Sequence, residues 1–309
     1  MRLGIVRLSF TLALTACAAG GRPSGVAPMA PAALPRLVST EELARWQHDR
    51  QVVVLDVRTD VFTYLKGHLP GAEYLNTETL RASEGGVPTR LLSGEAYVAL
   101  FSRLGIRFDA PVVIYSAGET HNIDATFLAF LLAGFGHPQV YVLNGGYFKW
   151  LLEQRPVVQR YPRIPPSRFP SRPFRPEAAS LEDVQRAMRD PAAILLDARP
   201  PEQYTGEAGA QMRRGHIPGA IDHYWQDDLM QAGFGHVWKG IEELKGSYAV
   251  QGITPDKDII AYCNSTTEAS HVHFTLRNLL GYRRVRVYVG SWTEWAEREE
   301  LPIAVGAKP

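Results

Sequence analysis

The chain has 309 residues, with 33 Lys plus Arg against 32 Asp plus Glu, 45% apolar content, 27 Gly, 22 Pro and two Cys. Such a length exceeds what one hydrophobic core usually supports, so about two domains are expected, and the apolar fraction excludes disorder and collagen. A formal charge of +1 supplies no whole-chain basic field for nucleic acid, and two cysteines make neither a disulfide scaffold nor a four-cysteine zinc site.

The first 16 residues combine a basic start, Arg2 and Arg7, with a short apolar run from Leu8 to Ala16. A run of about nine residues fits an export signal, whereas a membrane span needs roughly 20. Leu14-Thr15-Ala16-Cys17 resembles the lipobox of bacterial lipoproteins, which implies cleavage before Cys17, lipid on its sulfur, and a protein on the periplasmic face of a bacterial membrane. A plain signal peptide with an incidental cysteine is the alternative. Residues 17–37, rich in Gly, Ala and Pro, read as a flexible tether.

Residues 38–153 and 177–305 then read as two copies of one unit. Val52-Val53-Val54-Leu55-Asp56-Val57-Arg58 returns as Ala193-Ile194-Leu195-Leu196-Asp197-Ala198-Arg199, and Gly67-His68-Leu69-Pro70-Gly71-Ala72 returns as Gly215-His216-Ile217-Pro218-Gly219-Ala220. Val112 to Tyr115 matches Ile259 to Tyr262, and Gly145 to Trp150 matches Gly290 to Trp295. A shared order of elements means a duplicated domain. Within each copy, short β-branched runs alternate with helical patterns such as Ile123–Leu132 and Ala269–Leu280. This predicts an α/β fold, each copy a mostly parallel sheet with helices on both faces. Ligands in such sheets gather at the carboxyl ends of strands, which directs attention to the residues after Tyr115 and Tyr262.

Residues 154–176 hold seven Pro and six Arg with no acid, the composition of an extended linker. Without Arg2 and Arg7 the chain has 31 basic residues, and without the linker's six it has 25 against 32 acids. The expectation is that the arginines lie against this acidic body, association with an anionic polymer being the other option.

Cys263 follows the strand Asp258–Tyr262 and precedes a helix, in Cys263-Asn264-Ser265-Thr266-Thr267-Glu268-Ala269. In such a loop the backbone N–H groups can converge on the sulfur, and the helix start adds positive potential. Both lower a thiol pKa and make a nucleophile; a buried inert cysteine is the alternative. At the equivalent place the first copy has Ser116, in Ser116-Ala117-Gly118-Glu119-Thr120-His121-Asn122. A serine nucleophile with His121 as base lacks an identifiable orienting acid and oxyanion donors, so this loop is expected to wall an interdomain cleft.

The Asp-x-Arg strand ends, the Gly-His-x-Pro-Gly-Ala turns, the cysteine loop and the tail Tyr288-Val289-Gly290-Ser291-Trp292-Thr293-Glu294-Trp295, in one order, together resemble a tandem-domain rhodanese of the thiosulfate or 3-mercaptopyruvate sulfurtransferase family. The resemblance implies two rhodanese-like domains. The C-terminal one would be catalytic, carrying sulfane sulfur as a persulfide on Cys263, and the N-terminal one non-catalytic. Its partners would be small sulfur donors and acceptors or a thiol-bearing protein, with no cofactor, no metal, no nucleic acid, and membrane contact only through lipid at Cys17. The resemblance also implies that Asn264, Ser265, Thr266, Thr267, Glu268 and Ala269 cradle the substrate, that Asp197 and Arg199 brace the loop, and that Trp225 lines the pocket. His68 and His216 read as turn-stabilising residues, His271 and His273 as surface or packing residues.

One departure stands out. The loop has no cation, where the family usually places Arg, Lys or a Gly-Ser-Gly pattern, and Gln203 stands where animal members have a basic residue. Glu268 should raise the thiol pKa and repel a dianionic donor, so thiosulfate is expected to be a poor donor and Glu268→Arg to improve it. Arg213 and Arg214 are the candidates for the missing charge. A phosphatase of related architecture would need Arg six residues after the cysteine, where Ala269 stands. A lipid-anchored binding or sulfur-sensing module with little turnover is the remaining alternative.

Overall fold

The computed structural model describes residues 33–49, 51–118, 123–233 and 235–309. Cys17, the export signal and most of the tether lie outside these residues, as do Glu119, Thr120, His121 and Asn122. In chain order the strands are β1 Arg36–Val38, β2 Val53–Asp56, β3 Ala72–Tyr74, β4 Arg81–Glu84, β5 Val87–Leu91, β6 Val112–Tyr115 and β7 Val140–Leu143 in the first half. The second half has β8 Ala178–Ala179, β9 Ala193–Asp197, β10 Ile221–Asp222, β11 Leu229–Ala232, β12 Gly235–Trp238, β13 Asp258–Tyr262 and β14 Val285–Tyr288.

Each half builds a five-stranded parallel sheet, ordered β1-β7-β6-β2-β3 in the first and β10-β9-β13-β14-β8 in the second. The central strands are apolar and buried along their length, as Val112–Tyr115 and Ile259–Tyr262 show, because helices cover both faces of the sheet. Asp56 pairs in register with Tyr115, and Asp197 with Tyr262. Each repeated Asp-x-Arg therefore leaves its sheet beside the Tyr that precedes the key loop.

Each half also throws out an antiparallel hairpin, β4–β5 and β11–β12. These cross over. Arg81 and Arg90 of the first hairpin reach Thr267 and Glu294 of the second domain, while His236 and Trp238 of the second reach Gly118 and Asn144 of the first.

The helix Ile123–Gly134 is buried almost all round, including Phe127, Leu128 and Leu131 at 0% exposure. A helix apolar on every side must be covered on every side. It packs on the helix Thr267–His273, and one continuous apolar cluster runs from Phe127 and Leu128 to Val272, Trp238 and Cys263. The second helical pattern differs from expectation. It starts at Thr267, and its continuation Phe274–Leu279 is a π-helix.

The linker corrects the electrostatic expectation. Phe169 is buried and packs edge-on against Phe101 and Phe135, Phe174 stacks on Phe135, and Phe169 N and Arg175 N donate to Ser102 Oγ and Gly134 O. Of the six arginines only Arg155 pairs with an acid among the described residues, its near neighbour Glu153 at 2.5 Å, and Arg172 instead lies over the Phe108 ring at 4.3 Å. The buried Phe169 ring, worth on the order of 2 kcal/mol of apolar burial, and the partly buried Phe174 ring hold the strap. Surface ion pairs would have contributed little by comparison.

Candidate active site

Cys263 is the first residue past β13 and is fully buried. The chain after it turns through Thr266, whose φ of 85° is left-handed, an uncommon and costly conformation for a β-branched residue. Its side chain offsets part of that cost: Thr266 Oγ1 donates to Val289 O at 2.9 Å, and its carbonyl accepts from Ser270 N and Ser270 Oγ, both at 2.8 Å. After this turn the Ala269 and Ser265 amides act, against burial, to lower the pKa of the Cys263 thiol.

The segment after β14 clamps the loop from behind. Trp292 N donates to Cys263 O at 2.8 Å, Thr293 N and Oγ1 donate to Asn264 O at 3.3 and 2.8 Å, and Cys263 N donates to Ser291 Oγ at 3.3 Å. Ser291 also has a left-handed φ, 52°, and its hydroxyl donates to Tyr288 O at 2.8 Å. Asn264 Nδ2 donates to Gln203 Oε1 at 2.9 Å.

Asp197 and Arg199 sit one layer below. Arg199 grips the Asp197 carboxylate through Nε at 2.9 Å and Nη2 at 2.6 Å, and its Nη2 also donates to Gly215 O at 2.7 Å. The guanidinium lies over the Trp292 ring at 4.5 Å. Tyr262 Oη accepts from Ile217 N at 3.1 Å, and burial together with the Asp197 carboxylate raises its pKa well above the ordinary value. The pair thus ties β9, the His216 turn and the Trp292 segment together beneath the loop. Both repeated histidines serve their turns, His68 Nδ1 lying 3.0 Å from Tyr64 O and His216 Nδ1 2.9 Å from Tyr204 O.

Trp225 is buried with its ring edge-on to His271 at 5.2 Å, so it backs the helix that follows the loop. His271 and His273 are both buried, His271 stacked on Trp238 and His273 2.9 Å from Glu177. Arg213 is committed elsewhere, donating to Arg298 O and Leu301 O, and Arg214 is exposed. The cation that does reach the loop is Arg81 from the first domain, which donates through Nη2 to Thr267 Oγ1 while its Nε is buried without a hydrogen-bond partner. Sequence spacing carries no signal for it, because 186 residues separate the two. Ser291 had a signal: the first copy has Gly146 at that place.

The thiol itself corrects the expectation of a lowered pKa. Burial pushes Cys263 up to about 12; the Glu268 carboxylate adds to the rise, and the Ala269 and Ser265 amides oppose it. The amides favour the thiolate, but removing the sulfur from water outweighs them, since desolvation penalises the charged form. Glu268 accepts a hydrogen bond from Asn264 N at 3.5 Å. Its carboxyl is held above the ordinary range by burial, with the thiol and the Asn264 amide pulling the other way. Asn264, Ser265 and Glu268 are the partly exposed positions of the loop. Among the described residues no group of three or more His, Cys, Asp or Glu is placed to hold a metal ion.

The rhodanese-like domain family matches this chain twice, over residues 39–153 and 180–298. The sulfur carrier protein TtuD of Thermus thermophilus is 37% identical over 284 residues, 87% of this chain and 96% of the relative. Among solved structures, SseA from Escherichia coli, described with the rhodanese fold and catalytic mechanism of 3-mercaptopyruvate sulfotransferases, superposes with a TM-score of 0.74 at 29% identity, covering 83% of this chain and 98% of its own. EanB bearing a cysteine persulfide superposes with a TM-score of 0.78 at 25% identity, covering 88% of this chain and 70% of its own.

Proposed function

Because the chain belongs to the rhodanese-like family and is a sulfurtransferase of that family, we propose that it carries sulfur on Cys263, the one described cysteine. The sulfur would come from thiosulfate, 3-mercaptopyruvate or a persulfide, rest on Cys263 as a persulfide, and pass to a thiophilic acceptor. The observation that supports this reading is the position of Cys263 as the first residue past β13, in a loop whose Cys263 and Asn264 carbonyls are held by Trp292 N and Thr293 N. The Ser265 and Ala269 amides, which work against burial to lower the thiol's pKa, would likewise favour a persulfide anion.

In this reading the backbone orients the nucleophile, Asn264 and Thr266 fix the loop shape through Gln203 and Val289, and Asp197 with Arg199 supports it from below. Thiocyanate formation from cyanide with each of the three donors tests it. At least one donor is expected to support turnover that Cys263→Ser abolishes; turnover that survives Cys263→Ser overturns it. The complete burial of Cys263 favours a second reading, a binding or sulfur-sensing module that loads sulfur but releases it slowly. Loading in the absence of multiple turnovers would select that one.

We further propose export and lipid attachment at Cys17, supported by the Arg2 to Cys17 pattern. A diacylated mature N-terminus at Cys17 in the mass of the membrane-extracted protein is the expected result, and a soluble mature form cleaved elsewhere contradicts it.

A further inference from the structure

The strap of residues 154–176 is docked by Phe169 and Phe174, which leaves most of its arginines with no part in holding the fold. Arg160, Arg163 and Arg168 are exposed, Arg172 is half-buried, and none of the four pairs with an acid among the described residues. They are gathered in one place. Arg163, Arg168 and Arg172 line, with Arg107 of the first domain, an open groove of about 910 Å³ whose apolar wall is Val52, Val53, Phe108, Ile164 and Pro165. Among the described residues the one acid lining it is Asp109, held by Arg107 at 2.9 Å. Past Arg163 the groove continues into a second hollow of about 970 Å³ that adds Arg160 and Tyr161, the tyrosine 60% exposed. Without the strap, Arg2 and Arg7, the chain has 25 basic residues against 32 acids. An anionic partner is therefore attracted here and repelled over much of the rest.

The place of the groove in the fold is also defined. Val53, Gly71 and Ala110 stand at or just before the starts of β2, β3 and β6, so the groove follows the amino edge of the first parallel sheet. The opposite edge, at Gly118 and Asn144, meets the second domain's hairpin. Strand β1 runs parallel to β7 from Arg36, so the chain enters the first sheet at the same amino edge as the groove.

We propose that this groove is a docking surface for an anionic lipid bilayer, its guanidinium groups binding lipid phosphates and Tyr161 lying at headgroup level. The cations are spread rather than focused: 12 residues separate Arg160 from Arg172, roughly 37 Å along an extended proline-rich chain at about 3.1 Å per residue. That length suits a surface that repeats its charge. An exposed aromatic ring among cations is the composition of an interfacial anchor, and an acidic protein would need the cations but not the ring. The inference goes beyond the sulfur reading and does not depend on it.

The test is partition of the full chain carrying Cys17→Ser, so that no lipid is attached, into vesicles of phosphatidylcholine alone and of phosphatidylcholine with one-third phosphatidylglycerol. Each arginine at an anionic surface contributes about fivefold in affinity. Arg163→Gln with Arg168→Gln should therefore lower partition into the anionic vesicles about 25-fold, whereas the exposed pair Arg283→Gln with Arg284→Gln, an equal loss of charge outside the groove, should not. Added salt should weaken the binding by screening. Because the apolar run Leu8 to Ala16 could also enter vesicles, hydrogen exchange reads the groove directly: anionic vesicles should slow exchange of residues 160–168 and neutral ones should not. Equal partition into both vesicles, equal losses from the two arginine pairs, or an unprotected strap overturns the proposal. Retention on heparin that the strap pair abolishes, without vesicle binding, also overturns it and assigns the groove to a soluble polyanion. None of these outcomes bears on sulfur at Cys263 or on lipid at Cys17.

Discussion

The loops after Tyr115 and Tyr262 are built on one frame and differ in what the frame holds. In the first domain Arg58 Nη2 meets Asp56 at 2.6 Å and Gly67 O at 2.7 Å; in the second Arg199 Nη2 meets Asp197 and Gly215 O at the same two distances. Leu69 N donates to Tyr115 Oη and Ile217 N to Tyr262 Oη. Tyr147 N and Phe148 N bind the carbonyls of Ser116 and Ala117 just as Trp292 N and Thr293 N bind those of Cys263 and Asn264. A frame present in both domains is a device for shaping the loop, and the chemistry must reside in what is not shared.

Three differences remain. The first is the side chain itself: Ser116 Oγ accepts from Ala125 N at 2.9 Å and so caps its helix, whereas Cys263 carries a thiol whose charged form burial and Glu268 disfavour and the Ala269 and Ser265 amides favour. The second is the residue behind. Gly146 and Ser291 share a left-handed φ, 54° and 52°, but only serine offers a hydroxyl to Cys263 N. In the first domain a Cβ at Gly146 would lie 2.6 Å from Ser116 O, so that frame excludes the side chain the second domain uses. The third is the partner hairpin, which brings Arg81 to the second loop and a backbone N–H, from His236, to the first.

The largest effect should come from the shared frame. Arg58→Met and Arg199→Met each leave a buried carboxylate unpaired, at a cost of about 3–5 kcal/mol, and denaturant unfolding should report similar losses for the two. Any additional loss of sulfur loading in Arg199→Met over Arg58→Met measures what the frame contributes to chemistry. Arg81→Gln removes a charged donor from a nearly buried site, worth about 1.5–3 kcal/mol, and should slow loading at Cys263 from the other domain. If loading is unchanged in Arg81→Gln, the hairpin crossing is architectural alone.

Ser291→Gly recreates the first domain's arrangement. The lost hydrogen bond and the relieved φ strain, each about 1 kcal/mol, should nearly cancel in unfolding free energy while loading falls several-fold; a stable variant with full loading breaks the comparison at this position. The smallest effect concerns pH. Burial lowers His271 to about 4 from 6.5, with Asp228 opposing and His223 adding to the fall. A depressed folded value means that stability is fully present above pH 6.5 and is lost as pH falls toward 4. His271→Gln should flatten that acid limb in a thermal-melt series; an identical limb would assign it to other groups, such as the His223–Asp228 pair.

The duplicated fold was legible because it is written in local pattern: β-branched strand runs, Asp-x-Arg, the Gly-His turn and the Cys263 loop each lie within a few residues. The parallel sheets and the repeat of Tyr115 as Tyr262 follow from those. What the pattern could not carry was environment. That the loop amides favour the thiolate follows from loop position, but the thiol's raised pKa depends on burial in the apolar cluster it shares with Trp238 and Leu128, which only the packed fold sets. Charge counting likewise suggested an ionic strap, whereas Phe169 and Phe174 are what dock. Arg81 was hidden by distance along the chain, and Arg213, nearer in sequence, was captured by the carbonyls of Arg298 and Leu301.

The central claim is that one frame serves two loops and that Cys263 alone carries sulfur. Its most direct test is peptide mass spectrometry of the intact chain after exposure to a sulfane donor, in wild type and in Ser116→Cys. The account predicts one added sulfur on the Cys263 peptide, discharged by cyanide and absent in Cys263→Ser, with no stable addition at position 116, where Glu268 and Ser291 have no counterpart. Sulfur retained at position 116 as readily as at Cys263, or no adduct on Cys263 from any donor, would contradict it.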